Sequence, residues 1–65
     1  MDFPGSSSVA RAEYDPERGE LRVTFAKGAT YVYMVDQSVA DGLFGAASPG
    51  QYVRNVLAGL GGRRV

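Results

Sequence analysis

The sequence predicts an α+β domain in which a three-stranded antiparallel β-meander is followed by two helices packed on one face of the sheet. Three observations predict it. Leu21, Val23 and Phe25 alternate with Arg22 and Thr24 at the period of a half-buried strand. Gly28 separates that run from a second one, Tyr31-Val32-Tyr33. After Val35 the period changes to that of a helix, with Val39 and Leu43 and then Tyr52, Val53, Val56, Leu57 and Leu60.

The segment before the first strand, residues 1–8, is polar, small and turn-rich, and is expected to run as a flexible arm unless Phe3 docks. Val9 to Tyr14 alternates as a first strand, with Val9 off phase. Pro16-Glu17-Arg18-Gly19 then suits a four-residue hairpin loop, because Pro presets φ at its start and Gly accepts a left-handed conformation at its end. That loop sets Tyr14 opposite Leu21, and Glu13 opposite Arg22 as a cross-strand ion pair.

The second strand covers Glu20 to Ala26. Its exit, Ala26-Lys27-Gly28, reads as a three-residue loop closed by a glycine bulge, which pairs Phe25 with Ala29, Val23 with Tyr31 and Leu21 with Tyr33. A two-residue Lys27-Gly28 turn would instead place both tyrosines beside Arg22 and Thr24. The first register is preferred because it puts Gly where a left-handed residue is needed and builds the larger apolar face.

Asp36 stands as N-cap of a helix whose apolar face is Val39, Leu43 and Ala46 or Ala47, weakened by Gly42 and Gly45. Ser48-Pro49-Gly50-Gln51 matches a capping box, with Ser48 as N-cap, Pro at the first helical position and Gln at the third. The single domain is expected to span residues 9–60, with residues 61–65 as a flexible tail.

Length and composition bound the function. A 65-residue chain has a marginal core, and with no Cys and no His it builds neither a disulfide framework nor a typical zinc site. Neither a leader-like N-terminus nor a membrane-length apolar run is present, so a cytoplasmic protein is the expectation. Lys27 is the only lysine, and Asp15, Glu17 and Glu20 gather at a hairpin loop, where turn chemistry accounts for them. Catalysis, a cofactor, a metal and a small-molecule substrate are therefore not expected. Gly59-Leu60-Gly61-Gly62 follows a helix instead of opening one, which is the wrong context for phosphate binding.

The seven basic and seven acidic residues cancel, but not evenly along the chain. Asp2, Glu13, Asp15, Glu17 and Glu20 face only Arg11 and Arg18 in the first twenty residues. From Leu21 on, Arg22, Lys27, Arg54, Arg63 and Arg64 oppose only Asp36 and Asp41.

The ordered set of these residues resembles the KTSC domain, a family named from the C-terminal extension of some lysyl-tRNA synthetases and also found as small bacterial and phage proteins. The resemblance runs from Ser7-Ser8-Val9 through Tyr14-Asp15, Leu21-x-Val23-x-Phe25-x-x-Gly28-x-x-Tyr31-x-Tyr33 and Val35-x-x-x-Val39-x-x-x-Leu43 to Ala46-x-Ser48-x-Gly50-x-Tyr52. Its central Tyr-x-Tyr is the family's hallmark. The chain departs from the family at Asp36, which stands in place of a Pro, and at Arg54, which stands in place of an Asn. A C-terminal aromatic is also replaced by Gly and Leu. What the resemblance implies is an RNA-binding accessory module.

Two readings follow. In the first, Arg22, Lys27, Arg54, Arg63 and Arg64 contact phosphates while Tyr31 and Tyr33 stack bases. The alternative for both tyrosines is core, with their hydroxyls at its edge. In the second, Val32 and Met34, on the face of the third strand that the helices leave bare, contact another protein or a second copy of the chain.

Overall fold

The computed structural model describes residues 1–65. The first hairpin joins β1 (Val9–Asp15) to β2 (Glu20–Phe25) through a turn in which Gly19 has φ +65°. Tyr14 pairs with Leu21 and Glu13 with Arg22, as the loop length requires. The expected Glu13–Arg22 ion pair does not form. Arg11 lies two residues from Glu13 on the same strand face and takes its carboxylate at 2.7 Å, while reaching Asp2 at 3.8 Å. The off-phase Val9 has a specific cause: Val9 pairs with Phe25 but Arg11 with Thr24, so Ala10 is an extra residue in a β-bulge. The bulge resets the alternation, and both Val9 and Ala12 are buried.

The second hairpin joins β2 to β3 (Thr30–Met34) in the three-residue register. The Phe25 amide donates to Ala29 at 2.8 Å and the Gly28 amide to Phe25 at 2.9 Å, with Gly28 at φ +100°. Val23 pairs with Tyr31 and Leu21 with Tyr33, so both tyrosines share the core face. The Tyr14 hydroxyl, from the same face, donates to the Val35 carbonyl at 2.8 Å.

The sheet has four strands where three were expected. Residues 61–65 do not run free: β4 (Arg63–Arg64) pairs with β3, Val32 opposite Arg63 and Tyr31 opposite Arg64, and the Val65 amide donates to Thr30 at 2.9 Å. The arm docks as well. Phe3 is buried in the core, its amide donates to Ala10 at 3.0 Å, and the Ala12 amide donates to Met1 at 2.9 Å. An edge strand presents a row of unpaired N–H and C=O groups, and here the two terminal segments cover one edge each. Glycines and serines read locally as a loop; the open edges give them a partner.

α1 (Gln37–Phe44) starts where Asp36 Oδ1 accepts the Val39 amide at 3.2 Å, and it buries Ala40 and Leu43. α2 (Pro49–Tyr52) starts where Ser48 Oγ accepts the Gln51 amide at 3.4 Å. It is one turn long, not the continuous helix expected: the winding widens to a π-turn over Val53–Leu57 and tightens to a 3₁₀ turn over Ala58–Leu60. Val53 and Leu57 face the core, but the wider turn carries Val56 off that face, and Leu60 stands 50% exposed. Both helices lie against the face formed by Val9, Ala12, Leu21, Val23 and Tyr33. On the other face, the C-terminal segment with Leu60 and Gly61 lies beside Val32.

Candidate binding groove

A groove of about 370 Å³ opens beside the β2–β3 turn, between Ser7 and Ser8 on one side and Phe25 and Tyr31 on the other, with Ala26, Lys27 and Ala29 at its turn end. Local structure explains each wall. Ser6 Oγ accepts the amides of Ser8 and Val9 at 3.3 and 3.1 Å, a turn that brings the serines back over the end of β2, where the Ala26 amide donates to the Ser8 carbonyl at 2.8 Å. Phe25 and Tyr31 meet edge to face with ring centres 5.7 Å apart, which fixes the aromatic wall. Gly50 closes against Ser8: a Cβ at that position would stand 3.0 Å from Ser8 Oγ.

Two of the sequence-derived nucleic-acid residues line the groove, and a third is paired with one of them. Lys27 and Tyr31 line the groove, Tyr31 only half-buried, and Arg64 is the cross-strand partner of Tyr31 on the same sheet face. Arg54 stands exposed four residues beyond Gly50. Arg22 and Arg63 lie on the opposite face of the sheet, one on each side of Val32. The chain's ion pairs engage Arg11 and Arg18, so Arg22, Lys27, Arg54, Arg63 and Arg64 have no carboxylate within 4.0 Å.

Tyr33 is not available as a base-stacking surface in this conformation. It is 5% exposed, burial pushes its phenol pKa up with Tyr31 nearby, and the backbone of Gly62 lies against its ring. Val32 is likewise not the exposed contact expected of it. At 5% exposure it forms the floor of a small hollow of about 140 Å³ whose rim is Met34, Leu60, Gly61 and Arg63, because the C-terminal segment packs over it. Met34 is exposed as expected, at 68%. Leu60, the last residue of the helical spacing, joins it on that rim.

A third hollow, of about 290 Å³, lies among Glu13, Asp15, Arg18, Glu20 and Arg22. Asp15 Oδ1 accepts the Glu17 amide at 3.0 Å and Oδ2 lies 3.8 Å from Arg18, so this carboxylate serves the turn. Ser7, Ser8, Phe25, Ala26 and Ala29 are the groove residues that sequence reasoning did not single out as a site. Phe25 was legible as the last apolar residue of β2, but the serines acquire a place only through the Ser6 turn. No helix is long and apolar enough to cross a membrane.

Comparison with known proteins matches this geometry to a family. A protein of Tsukamurella paurometabola is 40% identical over 53 residues, covering 80% of this chain and 79% of its own. The crystal structure of a KTSC domain protein from Yersinia pestis superposes with a TM-score of 0.88 at 26% identity, over 100% of this chain and 93% of that one. The family model for the KTSC domain matches residues 5–59, which takes in both hairpins, both helices and the serine turn, and the chain belongs to the KTSC domain family.

Proposed function

We propose that this KTSC domain is a cytoplasmic, non-enzymatic module that binds single-stranded RNA at the groove beside the β2–β3 turn. The observation that carries this reading is that Lys27 and half-buried Tyr31 line one groove while Arg64 pairs across the strand with Tyr31, with neither cation held by a carboxylate. An aromatic surface flanked by free cations is what unpaired bases and their phosphates require, and each stacked base adds about 1–3 kcal/mol. The family's link with lysyl-tRNA synthetases supports RNA as the ligand. An amide NMR titration with short single-stranded and structured RNA tests it, at low and physiological salt. Shifts centred on Lys27, Tyr31 and Arg64 that persist at physiological salt are the expected result; no shifts at low salt overturn it.

A second reading is favoured by one observation, the exposure of Met34 and Leu60 around the Val32 hollow. These residues would contact another protein or a second copy of the chain. Met34→Lys is the variant to use, because Val32 is buried and its replacement would disturb the sheet. An oligomeric state and partner binding unchanged by Met34→Lys would exclude this surface.

A further inference from the structure

Tyr31 and Tyr33 stand two residues apart on one face of β3, yet only Tyr31 is open to a ligand. Part of what closes Tyr33 is Gly62: a Cβ there would stand 2.3 Å from Cε1 and 2.6 Å from Cζ of the tyrosine ring. Gly62 belongs to a segment with a light attachment. Gly61, at φ +70°, turns the chain out of the last helical turn, and β4 pairs over just two residues before Val65 donates to Thr30. No residue after Leu57 contributes to the core. A two-residue edge strand with no buried side chain belongs to the low-stability end of a fold, where local opening costs least. The same segment carries Arg63 and Arg64, two cations without carboxylate partners.

We propose that residues 61–65 form a displaceable strap over Tyr33, and that single-stranded RNA engaging Arg63 and Arg64 draws the strap off β3 and bares Tyr33 beside Tyr31. The inference rests on the RNA reading for its ligand and on the attachment of the strap for its mechanism. Side chains of residues i and i+2 on a strand share a face, so strap release turns one stacking position into two neighbouring ones. Gly62 suits both states. It lets the backbone lie flush on the ring when closed and leaves no side chain behind when open.

The test is a redox lock. Thr30 and Val65 meet across the antiparallel strands, where the Val65 amide donates to the Thr30 carbonyl at 2.9 Å, so Thr30→Cys with Val65→Cys ties the strap to β3 when oxidised and frees it when reduced. The probe is a labelled oligouridine of about six nucleotides, within the site size of single-strand binders. Reduced protein is expected to bind at least about tenfold more tightly than oxidised protein, and equal affinities overturn the proposal. Hydrogen exchange of the unligated natural chain supplies an independent reading. The Val65 amide is expected to exchange at least about tenfold faster than that of Val23. Equal protection at the two positions overturns the strap whatever the RNA result. Fast exchange at Val65 with no oligouridine bound in either redox state overturns the RNA reading and, with it, the ligand named here.

Discussion

The Tyr52 hydroxyl donates to the Val39 carbonyl at 2.8 Å, and the ring that carries it crosses α1 directly over Gly42. A Cβ on Gly42 would stand 2.3 Å from the Tyr52 oxygen and 2.8 Å from Cζ. The one bond that ties the two helices together therefore needs the absence of a side chain in the middle of α1. Helix propensity alone would make Gly42→Ala stabilising by about 1 kcal/mol. Overpacking against a hydrogen-bonded ring outweighs it, and the variant is expected to lose about 1–3 kcal/mol in denaturant unfolding. The sign is expected to reverse in a Tyr52→Ala background, where the three ring atoms nearest that Cβ are gone and the substitution gains its propensity.

Gly28→Ala isolates a backbone cost. Nothing stands within 4 Å of a Cβ at this turn, so no contact is strained, but φ +100° is closed to L side chains. The expected loss is about 1–2 kcal/mol, the penalty for a left-handed conformation. Gly59→Ala is the control: it also meets open space and has no positive φ, and its melting temperature is expected to stay equal or rise.

The cap of α1 gives a pH dependence of definite sign. Asp36 is held below the usual carboxylate range, first by the Ser38 hydroxyl at 2.7 Å and then by the Val39 amide at 3.2 Å. Its folded-state pKa lies below the unfolded one, so its contribution to stability is complete above the ordinary carboxylate pKa and is lost as pH falls through the folded value. Asp36→Asn keeps an oxygen acceptor for the Val39 amide and is expected to flatten this acid-range loss. Asp36→Ala removes the acceptor and lowers stability at neutral pH too. Unfolding curves measured from neutral pH into the acid range separate the two, and an unchanged acid loss in Asp36→Asn would refute the assignment.

How much of this was legible in the sequence divides by range of interaction. Turn chemistry is local, so Gly19, Gly28, Asp36 and Ser48 placed two registers and two helix starts correctly. The Glu13–Arg22 pair was misread because register brings residues opposite but does not decide between competing partners, and Arg11 is nearer along its own strand. The C-terminal tail was misread, and the docking of the arm through Phe3 was left open, because their sequence carries no strand pattern; only the open edges of a finished sheet give them a place. The same holds for the site. Lys27 and Tyr31 were legible by type and register, whereas the burial of Tyr33 and Val32 depends on a tail read as free.

Charge removal at the groove gives the sharpest discrimination between binding and structure. Lys27 and Arg64 are exposed and unpaired, so Lys27→Gln and Arg64→Gln are expected to leave the melting temperature unchanged. Each is expected to weaken oligouridine binding and to reduce the slope of log affinity against log salt by about 0.7, the value for one phosphate contact on a single strand. Arg11→Gln serves as the contrast, because its guanidinium lies between Asp2 and Glu13 and has little charge left for a phosphate. It is expected to leave the salt slope as it is. A uniform loss of slope across all three variants would mean that binding responds to net charge alone, and that the groove at Lys27, Tyr31 and Arg64 is not the place where RNA sits.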